Sequence, residues 1–206
     1  MGLALLTASL SCAHGEAFLE IAPVNADLTI HVVVENPAGS DEKWEVRSDG
    51  HLAQEFQGGV PIRIPYLPWP VNGGMIPRTL LAADLGGDGE PVDVLLLGAA
   101  RPRGSVVRAV PIGLLEVIDR LERDDKVLAV VPGTTFGDLE DVADLEARYP
   151  GVRAMLSTWY ANSRPGGRIQ VQGYGSRAAA RRLIAECAEA FDAALAAGGL
   201  PNWTRE

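Results

Sequence analysis

Cysteine is nearly absent from this chain. Its 206 residues carry only Cys12 and Cys187, far apart and in no CxxC or Cys/His spacing. That excludes a disulfide framework and a structural zinc site. Histidine is scarce too, and His14, His31 and His51 are scattered, which leaves them surface or core roles. Positive charge is in the minority, with 18 Lys and Arg against 27 Asp and Glu and a formal net charge of −9. Binding to a nucleic-acid backbone depends on clustered cations, so no nucleic-acid partner is expected. No apolar run reaches the roughly 18–20 residues needed to cross a bilayer, so no spanning helix is expected.

What is present is a hydrophobic fraction of 47%, enough for one substantial core. Residues 21–206 read as a single domain, preceded by an apolar segment over residues 1–20. The stretch from Gly2 to Cys12 has the character of a secretory segment, and Leu10-Ser-Cys12 is similar to a poor lipoprotein cleavage site, but a basic n-region is missing. Export to the periplasm or cell surface is slightly favoured over a cytoplasmic location. An apolar arm packed on the domain and a start site assigned too late both remain open.

Along the chain, short β segments alternate with turn signals. Leu28 to Glu35 is rich in β-branched residues and stops at Asn36-Pro37, which reads as a strand. Lys43 to Arg47 alternates polar and apolar residues and turns at Ser48-Asp49-Gly50 toward a hairpin partner near Leu52 to Phe56. Prolines from Pro61 to Pro77 exclude helix there and predict an irregular wall, ordered by Tyr66, Leu67, Trp69 and Met75. Strands recur at Val92 to Leu97, Val106 to Leu115 and Lys126 to Val131. Helical patterns cover Asp138 to Arg148 and Val152 to Asn162, with a strand at Arg168 to Gln172 between them and the end of the chain. Ser176 caps a long amphipathic helix from Arg177 to Ala197, closed by Gly198-Gly199. The order of elements predicts an α+β fold, a small closed barrel with helices packed outside it.

The richest local signal is Asp88, Glu90 and Asp93, three carboxylates on a Gly/Pro turn that leads into a buried strand. Acids crowded in this way repel one another unless a cation joins them, although on spacing alone a solvated turn explains them equally well. A second acidic turn holds Asp119, Asp124, Asp125 and Lys126, and a third charged set, Glu35, Lys43 and Glu45, lies on the earliest strands. It is the joint pattern that turns the reading toward a metal site.

Taken together, the three sets resemble the soluble (family I) inorganic pyrophosphatases. The family signature Asp-Gly-Asp-Pro-hydrophobic-Asp-Val-Leu is matched by Asp88-Gly-Glu-Pro-Val-Asp-Val-Leu95, and Lys43-Trp-Glu45 and Pro68-Trp-Pro-Val-Asn-Gly-Gly-Met75 are similar to further family passages. The resemblance implies a five-stranded barrel of OB-like form and hydrolysis of pyrophosphate by a metal-activated water. It implies that Glu35, Asp88, Asp93, Asp119 and Asp124 hold Mg²⁺, with Mn²⁺ or Co²⁺ as alternatives and several ions per site. Lys43, Glu45, Arg63, Lys126 and Tyr160 would bind substrate, and Glu90, Asp93 and Lys126 would carry the chemistry. A homo-oligomer, dimer or hexamer, is implied as well.

Four positions depart from the family pattern inside the pocket. Glu90 replaces the central Asp of the signature, Gly73 replaces a phosphate-contacting tyrosine, Trp69 replaces another tyrosine, and Ala161 stands where a lysine is expected after Tyr160. The metal ligands persist while substrate ligands thin out. This keeps open two alternatives: a hydrolase for another phosphoanhydride, and a catalytically impaired relative that binds divalent metal with pyrophosphate or polyphosphate.

Overall fold

A computed structural model of the protein describes residues 18–203. Cys12, His14 and nearly all of the expected export segment lie outside the described residues. Where the description begins, Phe18 to Glu20 form one short helical turn, and Phe18 and Leu19 pack on Val33, Val46 and Met75.

Five strands form a closed ring. They are β1 (Ile30–Asn36), β6 (Asn72–Met75), β7 (Asp93–Leu97), β10 (Lys126–Val130) and β8 (Val106–Asp119), hydrogen-bonded in that order, and β8 returns to pair with β1. The short β9 (Glu122–Arg123) and β11 (Ile169–Ser176) extend β8. Two small hairpins stand apart, β2 (Trp44–Val46) with β3 (Leu52–Gln54) and β4 (Phe56–Gln57) with β5 (Val60–Pro61). The barrel expected from the sequence is therefore present.

One barrel strand was not expected. Asn72 to Met75 falls in the passage read as an irregular wall, because Gly-Gly is a poor strand sequence. The glycine serves close approach instead: a Cβ on Gly74 would lie 2.1 Å from the carbonyl oxygen of Val33, so only glycine lets β6 lie against β1 here.

Three helices follow, α1 (Val142–Arg148), α2 (Val152–Ser163) and α3 (Arg177–Ala196). α1 starts later than its apolar pattern predicts, because Asp141 and Asp144 form a capping box that fixes the first turn. Ser176 caps α3 as expected, accepting a bond from the Ala179 amide at 3.3 Å.

Strand alternation divides the core in two. Val32, Val34, Val94, Leu96, Val127 and Ala129 share one cluster with Ala180, Leu183, Ile184 and Cys187 of α3. Leu95, Leu97, Leu128 and Val130 face the other way, onto Leu145 of α1 and Leu156 and Trp159 of α2. Leu145 and Leu156 are both fully buried there, and burial of each contributes about 1.5–3 kcal/mol. By the same alternation Asp93 and Lys126, the first residues of β7 and β10, sit on the α2 side at the strand ends. The site forms at those ends.

Candidate active site

The parallel pairing of β7 with β10 sets Asp93 directly beside Lys126. The Lys126 ammonium, 4% exposed, bridges the carboxylates of Asp93 and Asp124. Burial alone would lower its pKa, but Asp124 and Asp93 outweigh that and hold it well above the ordinary lysine value. The neighbouring Asp125 turns the other way, accepting bonds from the Val117 amide and Arg123 at 2.9 and 2.7 Å. Asp125 is thus a structural acid, and Asp124 is the one that faces the cavity.

These groups open onto a cavity of about 290 Å³. β1 contributes Glu35, which is buried and accepts the Val46 amide at 2.7 Å. Lys43 and Glu45 come from β2 and its approach, and Asp88 and Glu90 from the turn before β7. Within that turn the Asp88 carboxylate accepts the Glu90 amide at 3.0 Å. Asp119 ends β8, and α2 supplies Tyr160, whose buried hydroxyl is held neutral by desolvation. Of the residues singled out in the sequence, Glu35, Lys43, Glu45, Asp88, Glu90, Asp93, Asp119, Asp124, Lys126 and Tyr160 all line this one cavity.

Arg63 does not. Ile62 and Ile64 line the cavity, so the residue between them points away, and its guanidinium pairs with Asp41 at 2.5 Å while remaining 55% exposed. Period-two alternation of Ile62 and Ile64 was the signal for this.

The structure adds four charged residues that the sequence reading passed over. Glu55 reaches Lys43, which pairs with both Glu45 and Glu55. Backbone bonds between Glu55 and Lys43 and between Ile62 and Glu55 hold this arrangement. Arg120, Arg164 and Arg168 gather around Asp119, and Arg168 grips its carboxylate with two bonds. Burial alone would raise the Asp119 pKa, but its hydrogen bonds and charge contact with Arg168 win and lower it. No local motif marks these arginines; the turn after β8, the end of α2 and the approach to β11 bring them in.

The aromatic wall is rebuilt. Trp69 packs on Trp159 with ring centroids 4.9 Å apart, and Trp159 meets Tyr160 edge-on at 5.1 Å. Trp69 donates to the Glu42 carbonyl at 3.2 Å, and Trp159 to the Leu67 carbonyl at 2.9 Å. Trp69 also lies over Gly73, so the space above that glycine holds an indole.

Eight carboxylates and five cationic side chains line the cavity, an excess of negative charge. Desolvation and repulsion from Asp93 raise the Glu35 pKa well above the ordinary range. Burial chiefly raises Asp124 to about 6. Both shifts mark acids that a further cation would relieve. The donor set is carboxylate oxygen without thiolate or imidazole, which fits a hard ion such as Mg²⁺. Among the described residues no three such groups converge as a ready-made cage. Mg²⁺ does not need one, since it is usually bound through one or two carboxylates, retained waters and substrate phosphates.

The inorganic pyrophosphatase profile matches residues 32–192. The chain belongs to the inorganic pyrophosphatase family. It is 34% identical over 164 residues to the inorganic pyrophosphatase of Gluconobacter oxydans, covering 76% of this chain and 88% of that one. With the enzyme of Xanthomonas campestris the identity is 31% over 169 residues, covering 79% and 89%. Among solved structures, the inorganic pyrophosphatase of Toxoplasma gondii superposes with a TM-score of 0.76 at 25% identity, over 84% of this chain and 86% of that one. At these identities the chain is a divergent member.

Proposed function

We propose that the protein is an inorganic pyrophosphatase that hydrolyses pyrophosphate to two phosphates with Mg²⁺ as its metal. The observation that carries this reading is the convergence of ten sequence-identified residues on one acidic cavity around the buried Lys126 ammonium. Glu35, Asp88, Asp93, Asp119 and Asp124 are the residues that would hold Mg²⁺. Bound there, the ion would supply charge neutralisation for the phosphates and would lower the pKa of water beside it.

The chain's own groups do the rest. Lys43 and Lys126 present ammonium groups to phosphate oxygens, exchanging carboxylate partners for substrate. Tyr160 keeps its proton and donates a hydrogen bond from the cavity wall. Glu90 orients the attacking water and accepts its proton, Asp93 fixes the Lys126 ammonium beside it, and Glu45 positions Lys43. Assembly as a homo-oligomer, dimer or hexamer, belongs to the same reading. Ala178, Ala185 and Ala193 on the exposed face of α3 allow close helix contact, and light scattering tests it.

The test is phosphate release from pyrophosphate with Mg²⁺, Mn²⁺ or Co²⁺, with Asp93→Ala as control. Metal-dependent release that the variant loses is the expected result. Tight pyrophosphate binding with no release would favour the impaired, binding-only reading instead.

A further inference from the structure

Most cations in the cavity already have an anion. Lys43 is held by Glu45 and Glu55, Lys126 by Asp93 and Asp124, and Arg168 by Asp119. Two guanidiniums are left over. Arg120 and Arg164 both line the cavity, and neither makes a hydrogen bond or ion pair among the described residues. Arg120 is exposed at the tip of the β8–β9 turn. Arg164 is half-buried and follows Ser163, the last residue of α2, which fixes its backbone.

The surroundings of Arg164 explain why it stays unpaired. The carboxylate whose charge it feels is that of Asp119, and Arg168 already engages both of its oxygens. Around this single acid stand three guanidiniums, so the Asp119 end of the cavity carries an excess of positive charge. At the opposite end carboxylates outnumber the two lysines. The guanidiniums are therefore gathered around Asp119, while Asp88, Asp93, Asp124 and Glu35 supply most of the oxygens suited to metal. A pyrophosphate carrying a metal has matching asymmetry, with one phosphoryl group neutralised by the ion and one needing another cation.

We propose that Arg164 is a substrate-binding residue, its guanidinium contacting the oxygens of the phosphoryl group at the Asp119 end of the cavity. The inference rests on the pyrophosphate reading of the site. A planar guanidinium meets two phosphate oxygens at once, which an ammonium does not. Arg164 also lies at the carbonyl end of α2, where a cation stabilises the helix. That role alone predicts an effect on melting and none on ligand affinity.

The experiment compares wild type, Arg164→Ala and Arg164→Lys in two measurements. Calorimetric titration with imidodiphosphate, a non-hydrolysable diphosphate, in the presence of Mg²⁺ reads binding directly. Steady-state hydrolysis of Mg-pyrophosphate reads KM and kcat. Loss of a charge-assisted contact is expected to weaken imidodiphosphate binding by about 10- to 100-fold in Arg164→Ala and to raise KM alongside it, a loss much larger than the small fall in melting temperature expected from the helix end alone. Arg164→Lys is expected to fall between the two. Imidodiphosphate affinity within about twofold of wild type in Arg164→Ala overturns the proposal. So does a loss of affinity that tracks a lowered melting temperature and is fully restored by lysine. If the wild type binds imidodiphosphate but releases no phosphate, hydrolysis fails as the function, and the binding comparison still decides the role of Arg164.

Discussion

A Cβ placed on Gly73 would lie 2.8 Å from Cζ3 of Trp69. The indole cannot easily yield, since it packs at a tilt against Trp159 and is bonded to the Glu42 carbonyl. The two departures from the family pattern at these positions are therefore one change: the larger ring at 69 occupies space above 73. Gly73→Ala is expected to destabilise the protein by about 1–3 kcal/mol, and Gly73→Tyr to do no better and to give no gain in turnover. Urea denaturation and steady-state kinetics check both. An unchanged midpoint in Gly73→Ala would show that Trp69 moves freely.

Removal of the buried ammonium leaves two carboxylates facing each other. Lys126→Met keeps the volume of the side chain, so its effect isolates charge. In metal-free protein near neutral pH it is expected to cost on the order of 3–5 kcal/mol. Excess Mg²⁺ is expected to recover part of that loss by supplying another cation. Equal stability of the two proteins without metal would mean that Asp93 and Asp124 are not held by Lys126.

Glu90 is the most consequential chemical departure. The extra methylene moves its carboxylate by roughly 1 Å relative to an aspartate, a misplacement that can cost on the order of 100-fold in rate. Glu90→Asp is expected to increase turnover while leaving Mg²⁺ affinity nearly unchanged. A fall in turnover would show instead that the longer acid is adapted to this cavity.

The turn between β8 and β9 is built from Arg120 and Leu121, at φ of 50° and 75°. Two-residue hairpin turns of this kind favour glycine or asparagine, and an L side chain in the left-handed region costs about 1–2 kcal/mol. Leu121 is 91% exposed and has no packing to lose. Leu121→Gly is therefore expected to raise the melting temperature, with a gain of about 1 kcal/mol. No gain would place the turn's strain elsewhere.

Desolvation raises the Cys187 thiol pKa from 9.0 to about 12. In the unfolded chain the same thiol ionises near its ordinary value. The folded state thus holds a proton that the unfolded state releases, and stability falls as pH rises from about 9 through 12. In a Cys12→Ser background, Cys187 is expected to resist Ellman's reagent in native protein at pH 8 to 9 and to react on unfolding in urea. Prompt native labelling would contradict its burial.

Much of this was legible in the sequence because it was local. The Asp88 to Leu95 signature, the Ser176 cap and the alternation of β7 and β10 each lie within a few residues. What escaped depends on contacts between distant segments. β6 needs glycine because of Val33, some forty residues away in the chain, and Gly-Gly read as a break. Glu55 and the arginines at 120, 164 and 168 join the cavity only when segments distant in the chain pack together. Arg63, implied by the family resemblance as a substrate ligand, stands outside the cavity because the alternation of Ile62 and Ile64 turns it away.

β10 has a consequence for how the chain acquires its shape during synthesis. It lies between β7 and β8, yet it follows both in sequence. A nascent chain ending before Lys126 can pair β1 with β6 and β8, and β6 with β7, but the ring still has a gap with two open edges. Those edges are sticky until filled. Insertion of β10 fills the gap and in the same event carries the Lys126 ammonium to Asp93. Closing the barrel and assembling the centre of the site are thus one step, so no intermediate with an open ring carries a finished pocket.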